Sequence, residues 1–149
     1  MSALGNVAHL ARRFIGSWSR AAPAPEDVAW VFVNLTDGEW RLWSQMAVQD
    51  RRHSIEVARR FVEFAPSAAQ PEIAGALLHD VGKQVAALGT LGRVVATIVG
   101  PRGARFGDYH AHERLGAELL LAAGSHPATI ELVQGHGPWA AALRHADHL

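Results

Sequence analysis

The stretch IAGALLHDVGK, residues 73–83, decides the fold and raises the question of function. Its apolar helical pattern meets His79 and Asp80 at a point where buried surface is predicted. Burying an unpaired charge is costly, so these two residues require partners or a metal ion. Neighbours on a helix point about 100° apart, so both can reach one ion only where the helix ends. Gly82 is predicted to supply that end.

Helical periodicity recurs on both sides of this stretch and predicts an all-α fold, a bundle of about seven or eight helices. The segment VAWVFV, residues 28–33, also fits a short strand, because it is rich in Val and aromatic residues. Helix starts and stops are marked by Pro25, by the capping-box pair Thr36 and Glu39, by Pro66, by Pro71, and by Asp108 and Gly124.

The composition is that of one ordinary globular domain. The chain has 149 residues, a formal net charge of zero and no cysteine. We therefore expect no nucleic-acid partner, no disulfide and no thiolate metal site. No apolar run approaches the ~20 residues that cross a bilayer, and no targeting segment is recognisable, so cytoplasm is the expected compartment.

Two structural parts are predicted. Residues 1–22 form an N-terminal helix and linker, and residues 23–149 form the helical domain. The first part is basic, which leaves open a transit peptide or a membrane-surface helix. Its apolar spacing favours a helix packed on the domain.

Several histidines and aspartates lie near predicted helix ends, and packed helices could bring them to one point. Their nitrogen and oxygen donors suit Fe, Mn, Zn, Ni or Co. Local spacing alone leaves a simple His–Asp contact at a helix end equally possible for the adjacent pair. The candidate ligands are His53, His79, Asp80, His112, His136 and Asp147.

Five motifs in order resemble the HD-domain metal-dependent phosphohydrolases over about residues 48–149. They are RHSIEVARRF (52–61), ALLHDVGK (76–83), HERLGAELL (112–120), GHG (135–137) and RHADHL (144–149). The resemblance implies that one metal ion is held by the general family set, which falls on His53, His79, Asp80 and Asp147. It further implies that a second ion, as in the two-metal subset, would use His112 and His136.

The chain departs from two subgroups of that family. Members that hydrolyse nucleoside monophosphates often have a glutamate where this chain has Lys83, and HDVGK (79–83) resembles the phosphodiesterase-like branch instead. The Gly-Tyr-Pro of the cyclic-di-GMP group is missing after His112, and a single histidine, His136, stands where paired histidines are common.

The resemblance implies a hydrolase in which one or two divalent ions activate a hydroxide for attack on phosphorus. The expected substrate is a small phosphomonoester or phosphodiester, including nucleotides. Asp80 is the predicted bridging ligand, and Lys83 the predicted phosphate contact. Arg102 and Arg105, in a glycine-rich loop, are further candidate phosphate contacts. The alternative is a non-catalytic HD-fold sensor or partner subunit that binds metal or nucleotide.

Overall fold

A computed structural model describes residues 21–84 and 109–149, and all regular structure in these two ranges is α-helical. This confirms the all-α prediction. The predicted N-terminal helix and the glycine-rich loop lie outside the described residues, as does TLGRVVATIVG (90–100), whose pattern also predicts a helix. The division at residue 22 therefore stays a prediction. The helices are α1 (Pro25–Asn34), α2 (Asp37–Ser44), α3 (Val48–Phe64), α4 (Gln70–Leu77), α5 (Val81–Gln84), α6 (Tyr109–Ala122), α7 (Pro127–Val133) and α8 (Ala140–Asp147).

The first two helices begin at the predicted signals. Pro25 opens α1, and this helix runs through the segment that also fitted a strand, so the strand alternative is wrong. At α2 the Thr36 side chain accepts from the Glu39 amide, and the Glu39 carboxylate accepts from the Thr36 amide at 2.9 Å. The second carboxylate oxygen of buried Glu39 accepts a hydrogen bond from Ser125, which ties α2 to the turn between α6 and α7.

Helix α4 ends earlier than predicted. It stops at Leu77, a turn occupies residues 78–80, and Gly82 lies inside the short helix α5. Leu78, with φ −109° and ψ 9°, already leaves helical geometry. The ring of His79 then bonds the Ala76 carbonyl, which would otherwise lack a partner at this helix end. The break therefore falls at the His-Asp pair itself.

The long helix α3 lies between α4 and α8, and α4 also packs closely on α7. Thr129 of α7 donates its hydroxyl to the Pro71 carbonyl of α4 at 2.7 Å. At Gly75 the two helices are so close that an added Cβ would lie 3.0 Å from the Leu132 side chain. The buried Trp43 indole donates to Ser54 at 2.9 Å, which links α2 to α3.

The end of α8 is held by α3. The Arg60 guanidinium donates to the Ala146 carbonyl at 2.6 Å and to the Leu149 carbonyl at 3.3 Å. Phe64, one turn further along α3, packs its ring against that of His145. None of the helices in the described ranges is long and apolar enough to cross a membrane.

Candidate metal centre

Four side chains from three parts of the fold meet at one point. His53 comes from the first half of α3, His79 and Asp80 from the turn after α4, and Asp147 from the last residue of α8. One ligand atom from each of the four lies within 4.8 Å of the others. The predicted convergence of the four residues is therefore present in the described structure.

The short contacts in this cluster centre on one oxygen atom. Oδ1 of Asp147 lies 3.1 Å from Nε2 of His53 and 3.3 Å from Nε2 of His79. Nε2 of His79 also lies 3.3 Å from Oδ2 of Asp80. Ligands bonded to one ion at 2.0–2.2 Å in a tetrahedron are about 3.3–3.6 Å apart. The two contacts of His79, both 3.3 Å, match the spacing of ligands around a common ion.

The tautomer of His79 is fixed by its backbone contact. Its Nδ1 lies 2.8 Å from the Ala76 carbonyl oxygen, and only a protonated Nδ1 can donate to that acceptor. In the neutral ring, Nε2 is then an unprotonated lone pair directed into the cluster. That buried nitrogen has no hydrogen-bond partner among the described residues. A buried lone pair beside two carboxylates fits a metal cation.

The cluster favours positive charge at this nitrogen. Burial alone would lower the pKa of His79, but the carboxylates of Asp147 and Asp80 outweigh burial and raise it to about 10. Burial likewise opposes the charge of Asp80, yet His79 and Lys83 lower its pKa to about 2. His53 and His79 hold the pKa of Asp147 well below its usual range. Both carboxylates are therefore anionic at neutral pH.

The donor set fits a divalent ion. Two imidazole nitrogens and two carboxylate groups are the borderline-hard ligands that Zn²⁺, Fe²⁺, Mn²⁺, Co²⁺ and Ni²⁺ accept. Two carboxylates neutralise the charge of one such ion. The Nδ1 contact of His79 with a backbone carbonyl is the orienting contact that metal-bound histidines usually have.

Lys83, the only lysine of the chain, lies next to the four-residue cluster. It lies on α5, and its Nζ is 3.0 Å from Oδ1 of Asp80. A shared helix face with His79 would require one helix continuing to residue 83; the turn at residues 78–80 interrupts it, and Lys83 reaches the cluster from the separate helix α5. Its side chain is about 43% exposed, so the ammonium remains accessible to a ligand.

The other predicted ligands are not part of the described cluster. His136 follows α7 with an exposed side chain and is not one of the four. His112 lies on α6, but its side chain is outside the described residues, as are Arg102 and Arg105. The second metal position therefore stays a prediction.

Three charged residues near the site were not predicted from the sequence: Asp50, Arg144 and the pocket residue Glu113. Asp50 lies one turn before His53 on α3, and burial and the charge of Asp80 raise its pKa. Arg144 lies one turn before Asp147 on α8. Asp50 and Arg144 each lie three residues before a candidate ligand, a spacing that places both side chains on one helix face and could have identified them from the sequence.

A small pocket of about 70 Å³ opens beside the cluster. His79, Asp80 and Asp147 form part of its wall. Among the described residues, its charged wall beyond the cluster includes Lys83, Glu113 and Arg144, and its apolar wall includes Leu132, Val133 and Leu143.

The described residues form an all-helical domain in which His53, the pair His79 and Asp80, and Asp147 meet at one candidate metal site. This combination defines a class of helical proteins. The HD domain family model matches residues 51–145, and the chain belongs to this family. The match includes His53, His79 and Asp80 and ends two residues before Asp147. No curated protein and no solved structure gives a significant match. Membership places the chain in the metal-dependent phosphohydrolase superfamily, whose members typically bind divalent metals and act on phosphorylated substrates.

Proposed function

We propose that this protein is a phosphohydrolase that cleaves a small phosphomonoester or phosphodiester with a divalent ion held by His53, His79, Asp80 and Asp147. The observation that carries the proposal is the buried Nε2 of His79, which lies 3.3 Å from a carboxylate oxygen of Asp80 and of Asp147 beside an open pocket. A cation site without a pocket would support a structural metal, whereas this cluster forms part of the pocket wall.

Some side chains of the site would hold the ion, and Lys83 would contact the substrate. An ion held by these four residues would act as a Lewis acid and would lower the pKa of a coordinated water. His79 and Asp80 are held in place by the Ala76 carbonyl and by Lys83. Lys83 is positioned to contact the phosphoryl group, because its ammonium is accessible and adjoins a ligand carboxylate. Asp147 is held through the Arg60 contacts at the end of α8.

The second metal ion and the cellular compartment are expectations within this proposal. A second ion would use Asp80 with His112 and His136, and the protein is expected to act in the cytoplasm. The competing function is a sensor that binds metal or nucleotide without hydrolysis. The small volume of the described pocket favours this alternative, because about 70 Å³ accommodates little of a substrate.

Asp80→Ala and Lys83→Ala separate the two roles. The wild type, purified without chelator and analysed for metal, is expected to hydrolyse members of a panel of phosphomonoesters, cyclic nucleotides and dinucleotides. Asp80→Ala should lose both metal and activity. Lys83→Ala should keep its metal and lose phosphate affinity, by roughly 1.5–3 kcal/mol for a charged hydrogen bond. Lys83→Arg is the matched control that keeps the charge.

A second readout does not depend on activity. Reductive methylation with ¹³C-formaldehyde labels one side chain, because Lys83 is the only lysine. Phosphate added to metal-loaded protein should shift that NMR signal. A metal-loaded protein that hydrolyses nothing in the panel but binds a nucleotide supports the sensor function instead. Loss of metal in Lys83→Ala would show that the division between ligand and phosphate contact is wrong.

A further inference from the structure

Large apolar side chains are exposed on α1, a helix that contributes no residue to the four-residue cluster or to the pocket. Phe32 is 55% exposed and Val33 is 72% exposed. The Phe32 ring packs edge-on against Trp40 of α2, with the ring centroids 5.2 Å apart, so the apolar surface continues onto the next helix. We call Phe32, Val33 and Trp40 the α1 surface. Grouped apolar side chains of this kind are typical of a surface that another segment covers.

The part of the chain nearest to the α1 surface in sequence is residues 1–20, which lie outside the described residues. The described chain begins four residues before Pro25, the first residue of α1. Five large apolar residues of the segment recur at spacings of three and four, which places them on one face of a helix. They are Leu4, Val7, Leu10, Phe14 and Trp18.

The length of this segment matches the length of the α1 surface. A helix over residues 3–18 would be about 24 Å long, and α1, with 10 residues, is about 15 Å long. Residues 19–24 would join the two, and antiparallel helices are commonly joined by two to eight residues. In an antiparallel pair with Trp18 beside Pro25, Leu10 lies beside Val33, because each is eight residues further from the connection.

Charge favours this segment over a second copy of the chain. Residues 1–20 contain Arg12, Arg13 and Arg20 and no Asp or Glu, whereas residues 21–40 contain no Lys, Arg or His. The acidic residues of the second range are Glu26, Asp27, Asp37 and the buried Glu39. Two copies joined through the α1 surface would bring like charges together, whereas the basic segment brings opposite charges together.

We propose that residues 3–18 form a helix that docks antiparallel to α1 and covers Phe32 and Val33. Its apolar face contacts the α1 surface, and its arginines lie on the other side of the helix. The docked segment adjoins the support of the His-Asp pair, because α1 packs on α4 and the Gln70 side chain of α4 donates to the Asn34 carbonyl of α1 at 2.6 Å.

Disulfide formation in the full chain tests the docked position. The chain has no cysteine, so two introduced cysteines are its only thiols. A disulfide needs Cα atoms within about 7 Å, so Leu10→Cys combined with Val33→Cys should form an intramolecular bond under mild oxidation. Arg12→Cys combined with Val33→Cys is the matched control, because position 12 lies about 160° around the helix from position 10. The control should oxidise at least about tenfold more slowly. Mass spectrometry and electrophoresis without reductant measure both rates.

A substitution on the domain side tests the same contact by proteolysis. Val33→Asp places a carboxylate where the docked helix would bury it, so the segment should be released. Trypsin should then cleave after Arg12 and Arg13 about tenfold faster than in the wild type. Leu149→Asp, which changes an exposed apolar residue at the other end of the described chain, should cleave at the wild-type rate. Circular dichroism checks that both variants keep their helices.

The remaining outcomes overturn the proposal. Equal oxidation rates for the two cysteine pairs, or equal cleavage of the wild type and Val33→Asp, would show that residues 3–18 do not cover the α1 surface. A disulfide-linked dimer of the single variant Val33→Cys, with a wild type of twice the chain mass in solution, would assign the surface to a second copy. Sedimentation of the wild type with phosphatidylserine vesicles, together with fast cleavage in their absence, would assign the segment to a membrane surface.

Discussion

We predict that a proton on His79 makes metal binding at the proposed site strongly pH-dependent. Without an ion, Asp147 and Asp80 overcome burial and raise the pKa of His79 from 6.5 to about 10. At pH 7 the metal must displace a proton bound about three pH units above ambient, which costs about 4 kcal/mol. The apparent dissociation constant for Mn²⁺ should therefore fall about tenfold for each unit by which the pH rises between about pH 6 and 8.5.

The stability of the metal-free protein changes with pH in the opposite direction to its metal affinity. Because the folded-state pKa of His79 is raised, its charge stabilises the fold fully below pH 6.5. That contribution is lost as the pH rises through about 10. The metal-free protein should lose unfolding free energy over this window while metal affinity increases.

Isothermal titration calorimetry measures both the affinity and the proton release. Titrations of Mn²⁺ in buffers of different ionisation enthalpy should show about one proton released per ion at pH 7. The control is His148→Gln, which removes an exposed histidine outside the cluster and should preserve the slope. An affinity that does not change with pH, with no proton released, would refute the assignment of a protonated His79 in the metal-free site.

Two further substitutions test the support of the site and of the core. Arg60→Ala should weaken Mn²⁺ binding about tenfold, because it frees the end of α8 that carries Asp147, while Arg59→Ala should leave binding unchanged; equal effects of the two would contradict this anchoring role. Ser54→Ala should lower the free energy of unfolding by about 1–3 kcal/mol, because the buried Trp43 indole loses its acceptor. Urea unfolding measures that loss, and exposed Ser44→Ala, expected within about 0.5 kcal/mol of wild type, is its control.

Local signals were sufficient for the described helices at the start of the domain. Pro25 and the Thr36–Glu39 box begin α1 and α2 because both act through backbone groups of their own helix turn. The strand alternative for residues 28–33 came from side-chain preference alone, and packing of Val31 into the helical core overrides it.

The end of α4 shows where local reasoning was insufficient. Gly82 was the visible helix breaker, but the break occurs at residues 78–80. There the imidazole of His79 replaces a helical backbone hydrogen bond at the Ala76 carbonyl. The sequence shows a histidine at position 79, but its contact with the Ala76 carbonyl depends on a side-chain rotamer that turns the ring back toward the end of its own helix.

The site itself depended on long-range packing. Spacing left the His79–Asp80 pair undecided, and the family resemblance supplied the partners His53 and Asp147. Glu113 was missed because it reaches the pocket only through the packing of α6 against neighbouring helices. Periodicity within one helix carries no information about which turn of the next helix it faces.

The close contact at Gly75 has a consequence for metal selectivity. This residue lies four positions before His79, in the helix that carries the His-Asp pair to the centre. An added Cβ would be 3.0 Å from Leu132, so α4 or Leu132 would have to move by a few tenths of an ångström. Metal–ligand bond lengths are defined to about 0.2 Å. If α4 moves, Gly75→Ala is expected to displace the candidate ligands His79 and Asp80 and so to change which ion the proposed site prefers, although the added methyl group would contact Leu132 and none of the four candidate ligands.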